Sequence, residues 1–458
     1  MKFLLIQPPL SDAGYNEFNF SPGHLFTLFS YLKHNNPGLQ VDVLDWPRAH
    51  VEEPETTAER GDLLFSNRLK KQLKKYAPDV IGISCYTSMH YIITQLVALI
   101  YKEENPDGIV IVGGFHPTFV PDDFTAPAAP YDYIIQGEGE VALSRLLKQP
   151  LRPRQRAKVV PGIPLDLETE VLMWDDYPYF DKGAKVTLFF SRGCPFECNF
   201  CVEPNRLRNP GARYRVYSST KARRTIETLI KRLTPEGIFF GEAAFGLNPQ
   251  WRRQFLKDLA EVAPGILFWG ETRVDTFSKE DVDLLKPLRF RLDLGLDAIV
   301  PDNILRQNKS RNPEEYIRRF TALDDYMNEQ ELPHSIFILH NFPGETPRTY
   351  AQTKQRLLDI AGKRSYNYSC FGPQPYCLYP GSSAYRDMKH YEEKYGSRFP
   401  NDGWWREISD DRNALARAIV AGKEMEGKDI DFLAEAKQLM DKIIPDKKLL
   451  HWPFRWGS

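Results

Sequence analysis

Over the first 150 residues, short apolar runs alternate with stretches in which apolar positions recur at helical spacing. Lys2–Gln7 reads as a buried strand, and Gly23–His34 as a helix with Leu25, Leu28, Phe29 and Leu32 on one face. Further strand patterns at Leu39–Leu44, Val80–Cys85, Ile109–Val112 and Tyr131–Ile135 are separated by helical ones at Asn67–Tyr76, Tyr91–Glu103 and Val141–Leu147. Strands and helices alternating at this spacing predict a parallel sheet covered on both faces. Ligands of such sheets lie beyond the carboxyl ends of the strands. That singles out the segments Pro8–Tyr15, Ser84–His90, Gly113–Thr118 and Gln136–Glu140.

Residues 148–184 carry prolines and arginines without a sustained period and read as a connecting segment. A second alternating stretch follows. Its strand patterns are Val186–Phe190, Gly237–Phe240, Ile266–Trp269, Arg291–Leu296, Ser335–Leu339 and Asn367–Phe371. Helical patterns lie between them at Thr220–Leu233, Pro249–Val262, Lys279–Lys286, Pro313–Asn328 and Thr346–Ile360. This is too few units for a full eight-fold barrel, which needs about 250 residues, and suits a partial (β/α)6 barrel. The expected division is an α/β Rossmann-like domain over 1–147, a linker over 148–184, the partial barrel over 185–380 and a helical region over 381–458, the last resting on a helical pattern at Asp411–Ile444.

Composition sharpens this picture mainly by exclusion. The 458 residues are 42% hydrophobic and 26% charged, with 60 Lys+Arg against 61 Asp+Glu. A net charge of −1 argues against a nucleic-acid binder held by a globally basic surface. No apolar run approaches the ~18 residues of a membrane span, and the short run before Pro8 is a first strand rather than a signal peptide. The expectation is a soluble, cytoplasmic protein with neither a membrane nor a nucleic acid as partner.

Six cysteines are too sparse for a disulfide scaffold. Three of them crowd into Ser191-Arg192-Gly193-Cys194-Pro195-Phe196-Glu197-Cys198-Asn199-Phe200-Cys201, directly after the first strand of the second half. Three thiolates are soft ligands suited to iron–sulfur chemistry, and a closed cluster usually takes four. Three therefore leave one iron open to a substrate or cofactor. The competing reading is a structural zinc loop completed from elsewhere, which usually shows paired CxxC units; no second pair follows. Cys85 reads as a buried small hydrophobe, and Cys370 and Cys377 as core residues. His340-Asn341 reads equally as a substrate contact or a turn contact. Trp404-Trp405 and the Trp452–Trp456 tail read as packing in preference to a cavity lining.

The C-x3-C-x2-C loop resembles the signature of the radical S-adenosylmethionine (SAM) superfamily, whose fold is a partial barrel. The resemblance implies a [4Fe–4S] cluster on Cys194, Cys198 and Cys201, with SAM on the fourth iron and Phe200 against its adenine. It implies further SAM contacts at Gly241 and Glu242, at Arg273 in Trp269-Gly270-Glu271-Thr272-Arg273-Val274-Asp275, and at Asp297 in Leu294-Gly295-Leu296-Asp297, where many relatives have Glu. Asn341-Phe342-Pro343-Gly344-Glu345-Thr346 and Tyr379-Pro380-Gly381-Ser382 resemble later family segments in the same order.

In the first half, Val112-Gly113-Gly114-Phe115-His116-Pro117-Thr118 and Tyr131-Asp132-Tyr133-Ile134-Ile135-Gln136-Gly137-Glu138-Gly139-Glu140 resemble segments of the cobalamin-binding class of that superfamily. Glycines after parallel strands let backbone N–H groups approach a bulky, phosphate-bearing ligand. The implied cobalamin contacts are Ser84, Tyr86, Thr87, Gly113, Gly114, His116, Gly137 and Glu138. None of the nine histidines lies in a D-x-H-x-x-G segment, so no histidine is expected on cobalt and His116 reads as a loop hydrogen-bonder.

The function implied is methylation of an unactivated carbon or phosphorus centre of a small molecule or peptide, through methylcobalamin and a 5′-deoxyadenosyl radical, with an external one-electron reductant as partner. The alternatives are a cyclase or rearrangement enzyme using the same cofactors without net methylation, and a cobalamin- or metal-responsive binding protein without turnover. A tRNA methylthiotransferase is disfavoured, because Cys85 is the only cysteine before Cys194.

Overall fold

A computed structural model describes residues 1–9, 23–49, 58–203, 214–332, 334–362, 371–409 and 411–427. The chain divides into two compact units. Among the described residues, the first comprises those of Met1–Asp181 with Trp405–Arg412, and the second the remainder.

In the first unit the strands are β1 (Lys2–Gln7), β2 (Gln40–Asp45), β3 (Val80–Ser84), β4 (Ile109–Gly113), β5 (Tyr133–Gln136) and β6 (Lys158–Pro161). They form a parallel sheet in the order β2-β1-β3-β4-β5-β6. From β1 the chain crosses outward to β2 and returns on the other side at β3, so the strand order reverses between β1 and β3. A doubly wound sheet opens its ligand crevice at that point. β1 and β3 are almost entirely buried, as their unbroken apolar runs require of strands covered on both faces. Helices Gly23–Asn35, Ala58–Tyr76, Tyr91–Glu104 and Glu140–Leu147 supply the cover.

The segment 148–184 does more than connect. Its Lys158-Val159-Val160-Pro161 forms the edge strand β6 against β5, where a proline costs no ladder bond. Further on, Trp174, Tyr177 and Phe180 pack around Phe26. Four residues ended by proline are too short to show a period, which is why the sequence pattern missed them.

The second unit carries β7 (Lys185–Leu188), the ribbon β8 (Ser191–Arg192) with β9 (Arg215–Val216), and then β10 (Gly237–Phe240), β11 (Leu267–Arg273), β12 (Arg289–Asp297), β13 (His334–His340) and β14 (Phe371–Pro375). Six of these run parallel in the order β14-β13-β12-β11-β10-β7, which is chain order throughout. Strand followed by helix, always stepping the same way, makes the partial barrel that the periodicity predicts. Its helices start on side chains chosen for the purpose. Ser218 accepts from the Lys221 amide, Asn248 from Trp251 and Asn312 from Glu315, the last two followed by proline at the first helical position. Phe190, Phe240, Phe245, Phe255, Phe268 and Phe290 are buried between the strands and the helix Pro249–Val262.

Two expectations need correction. The last barrel strand lies at Phe371–Pro375 rather than Asn367–Phe371, with 367–370 outside the described residues. The expected helix Asp411–Ile444 is, up to residue 427, only a short helix Arg412–Arg417 followed by a bridge and a 3-10 turn. Gly422 and Gly427, the latter at φ +67°, break the pattern where the periodicity ran across them. Residues 428–444 and the Trp452–Trp456 tail fall outside the described residues.

Candidate active site

The cysteine loop leaves β7 and is held by backbone partners on several sides. The Phe190 amide donates to Glu242 Oε1 at 2.7 Å, and Gly193 turns the chain at φ +77°. The Cys201 amide closes a turn on the Cys198 carbonyl at 3.1 Å. Between them, Asn199 staples the loop: its amide donates to the Gln307 carbonyl at 2.9 Å and its Nδ2 to the Arg306 carbonyl at 2.8 Å, while its own carbonyl accepts from the Ala384 amide. Cys198 is buried, and Cys194 and Cys201 are half-buried. Burial pushes the Cys194 and Cys201 thiols up, the neighbouring cysteines add to this, and Arg273 opposes it at Cys194. Deprotonating Cys194 and Cys201 therefore calls for a positive charge, the condition a metal supplies.

Arg273, at the end of β11, brings one. Its Nη1 donates to Cys198 Sγ at 3.2 Å, its Nε and Nη2 grip the two oxygens of Asp275 at 2.9 Å each, and Nη2 also donates to the Lys309 carbonyl at 2.7 Å. The guanidinium lies 3.8 Å over the Phe196 ring.

Asp297 sits at φ +55°, where β12 shifts register against β13. Its carboxylate is paired with the buried ammonium of Lys309, which also donates to the Gly295 carbonyl at 3.2 Å. The Lys309 ammonium stands 5.7 Å over the ring of Phe200. Phe200 in turn packs against the cluster of Phe342, Tyr376 and Tyr391.

Glu242 is buried after β10. One carboxylate oxygen accepts from Phe190 and the other, Oε2, has no partner among the described residues. Burial pushes this carboxyl up to about 7, against the pull of the backbone amides. Its neighbour Gly241 has no room for a side chain, since a Cβ would lie 2.8 Å from Thr187 and 2.9 Å from Phe189. Glu271, two residues before Arg273 on the same face of β11, is reached by solvent yet enclosed by protein. That enclosure, with Asp293 across on β12, pushes it up to about 7 against the pull of Arg291. Below it the Trp269 indole donates to Asp293 at 2.8 Å, and Arg291 binds Asp293 and Ser335.

In the first unit the expected contacts gather at the carboxyl edge of the sheet. Ser84 Oγ lies 3.3 Å from His24 Nε2, which also meets Gln7 Oε1 at 3.0 Å, and the His24 ring stacks on Tyr86 at 4.2 Å. Gln7 continues to His90 at 3.1 Å, and His90 to Thr87 at 3.2 Å. His116 is buried with both ring nitrogens engaged, Nδ1 by Ser88 at 2.9 Å and Nε2 by Asp123 at 3.2 Å, the hydrogen-bonding role its sequence context suggested. Asp123 also accepts from the Trp405 indole and from Arg406, both at 2.6 Å. Gly114, at φ +119°, lies so close to the Cys85 carbonyl that a Cβ would come within 2.3 Å. Gly113 has room, its nearest neighbour being Ile135 at 3.6 Å. The Gly137 amide donates to Thr118, and Glu138 accepts from the Leu165 amide.

Asn199, Lys309, Glu271, His24 and Gln7 were not picked out by sequence reasoning. Lys309 carries no motif signal, and Asn199 sits inside the quoted cysteine loop at a position its spacing leaves open. Glu271 lies inside a quoted segment, and its inward alternation with Arg273 was the available clue.

The B12 binding domain family matches residues 35–147, and the Radical SAM superfamily matches residues 188–357. The chain belongs to the cobalamin-binding radical SAM family. It is an enzyme, and its cofactors are those of the family: cobalamin, SAM and a [4Fe–4S] cluster. The chain is 26% identical, over 82% of its length and 69% of the relative's, to an anaerobic magnesium-protoporphyrin IX monomethyl ester cyclase of Rubrivivax gelatinosus. It is 28% identical to the 2-(S-pantetheinyl)-carbapenam-3-carboxylate methyltransferase of Streptantibioticus cattleyicolor, over 65% of this chain and 47% of that one. The solved structure of the radical SAM methyltransferase TsrM of Kitasatospora setae with cobalamin and [4Fe–4S] cluster bound superposes with a TM-score of 0.69 at 14% identity, covering 100% of this chain and 93% of that one. At that identity the likeness is one of fold.

The residues present fit these groups. Three thiols in one loop, with a guanidinium donating to a sulfur, suit an anionic cluster. The unsatisfied oxygen of a buried Glu242 suits an amino group. In the first unit, loops after β3, β4 and β5 surround a sheet edge at which Gln7, Ser84 and Gln136 already have partners, which suits a large ligand held by shape and backbone. Among the described residues no helix is long and apolar enough to cross a membrane.

Proposed function

We propose that this enzyme is a cobalamin-dependent methyltransferase that methylates a non-nucleophilic carbon or phosphorus centre of a small-molecule or peptide substrate. When bound, the cluster supplies the electron that cleaves SAM, and cobalamin carries the methyl group. Cys194, Cys198 and Cys201 hold the cluster. Glu242 receives the SAM amino group on Oε2, a charge-assisted hydrogen bond worth about 1.5–3 kcal/mol. Phe200, held by its aromatic neighbours, offers a flat apolar wall to the adenine. The Asp297–Lys309 pair fixes the end of β12, so Asp297 reaches a ribose only as a shared acceptor. Glu271 faces the barrel interior beside SAM and accepts a donor group of the substrate. In the first unit Ser84, Tyr86, Thr87, Gly113, Gly114, His116, Gly137 and Glu138 shape the loops that enclose the corrin.

The observation that carries this reading is the tandem of a doubly wound unit and a cysteine-bearing partial barrel in which Glu242 keeps an unsatisfied carboxylate oxygen. Methyltransferases among the relatives support it. The test is product analysis after anaerobic incubation with cobalamin, SAM and a one-electron reductant. S-adenosylhomocysteine together with 5′-deoxyadenosine is the expected outcome; 5′-deoxyadenosine alone sinks methyl transfer. That second outcome belongs to a cyclisation without methylation, a reading favoured by the long alignment with the R. gelatinosus cyclase.

A further inference from the structure

We infer that Arg273 is a positioning residue for the iron–sulfur cluster: its hydrogen bond to the sulfur of Cys198 raises the cluster's reduction potential. The inference rests on the assignment of Cys198 as a cluster ligand. The sequence pattern placed Arg273 on SAM, but the guanidinium is largely committed elsewhere. Of its N–H donors, the one on Nε and both on Nη2 are taken by Asp275 and the Lys309 carbonyl, and one on Nη1 points at Cys198 Sγ at 3.2 Å. A single N–H on Nη1 remains for any other partner. The Asp275 fork and the Phe196 ring fix the plane of the guanidinium from two directions. Its 5% exposure keeps the contact from being screened by salt.

The electrostatic consequence has a definite sign. Reduction adds one electron from an external one-electron donor, and the charge on the cluster and its sulfurs becomes one unit more negative. A hydrogen bond donated to a ligand sulfur stabilises that added charge, and such bonds are among the levers that set cluster potentials. Asp275 balances the formal charge of Arg273, so the directed N–H carries the effect. Lys309 does not duplicate it, because its ammonium is paired with Asp297.

The test is an anaerobic redox titration of the reconstituted full chain, followed by the electron paramagnetic resonance signal of the reduced cluster, without SAM. In Arg273→Gln the reduction equilibrium becomes about tenfold less favourable, the size of one charge-assisted hydrogen bond. For a one-electron couple this lowers the midpoint by 59 mV, at unchanged iron and sulfide content. If Arg273→Gln fails to hold iron, Arg273→Lys decides. It keeps the cation but loses the fork that aims the N–H at Cys198, so its midpoint falls in the same direction. A midpoint equal to the parent's in whichever variant holds the cluster overturns the proposal. Equal midpoints with weakened SAM binding return Arg273 to a SAM contact. A parent chain that takes up no iron overturns the cluster assignment itself, and this inference with it.

Discussion

The carboxyl edges of the two sheets solve the problem of polar groups differently. At the first, Gln7, His24, Ser84, Thr87 and His90 form one hydrogen-bonded string, and Ser88, His116 and Asp123 another. At the second, Glu242 keeps an oxygen without a partner among the described residues, and Glu271 stands in an enclosed, solvent-reached space with its carboxyl pushed up. An unsatisfied buried acceptor costs about 1–3 kcal/mol, so it persists where something else supplies the donor. Along β1 and β3 the first edge is thus paired before its ligand arrives, with Asp45 at the end of β2 the exception: it is buried beside Arg48 at 3.6 Å, and neither of its oxygens is hydrogen-bonded among the described residues. The second is left incomplete, and its ligand completes it.

The sharpest way to break this contrast is to remove a sulfur. Cys198→Ala, Cys194→Ala or Cys201→Ala abolishes bound iron and sulfide and all SAM cleavage, while the corrin absorption bands of the first unit persist; a variant with full iron content refutes the assignment. Next comes Asp123→Ala, which strands His116 and the Trp405 indole together. Breaking such a buried network costs about 3–5 kcal/mol, read as a lower unfolding midpoint in urea, with iron content unchanged. Glu242→Gln tests the incomplete edge: SAM affinity measured by anaerobic calorimetry falls by about 10- to 100-fold, and cobalamin affinity does not change.

The smallest effect is one of pH, and it has opposite signs in the two units. Burial, with Arg412 nearby, holds His90 down to about 4. Its folded value lies below the ordinary 6.5, so its contribution to stability is present above pH 6.5 and lost as pH falls towards 4. Burial pushes Glu345 up to about 7, against the pull of the Asn341 amide and Asn303. Its contribution is full below about pH 4.5 and lost as pH rises through 7. His90→Gln therefore flattens the acid limb of the stability profile, and Glu345→Gln the neutral-to-alkaline limb. Denaturant midpoints measured from pH 4 to 8 check both.

How far the sequence revealed this follows from where each signal resides. Strands buried on both faces, such as Val80–Ser84 and Gly237–Phe240, are unbroken apolar runs, and they stand where the pattern put them. β6 is four residues of an edge, and the supposed helix after Asp411 was a period carried across two glycines; local patterning has no grip on either. The three cysteines were legible because their chemistry and spacing occupy one loop. Lys309 was not, because its pairing with Asp297 exists only once β12 has turned back on the segment that follows it. Arg273 lies between these cases: the motif named the residue, and only the geometry shows that most of its donors are already spent on Asp275, Lys309 and Cys198.

The strap Trp405–Arg412 has a consequence for biosynthesis. The ribosome emits Asp123 well before Trp405, which follows 282 residues later. At about 5–20 residues per second, that interval is on the order of tens of seconds. Through all of it the nascent sheet holds an acidic group awaiting two of its partners. The amino-terminal unit, first to be translated, is therefore completed only after the whole barrel has been made.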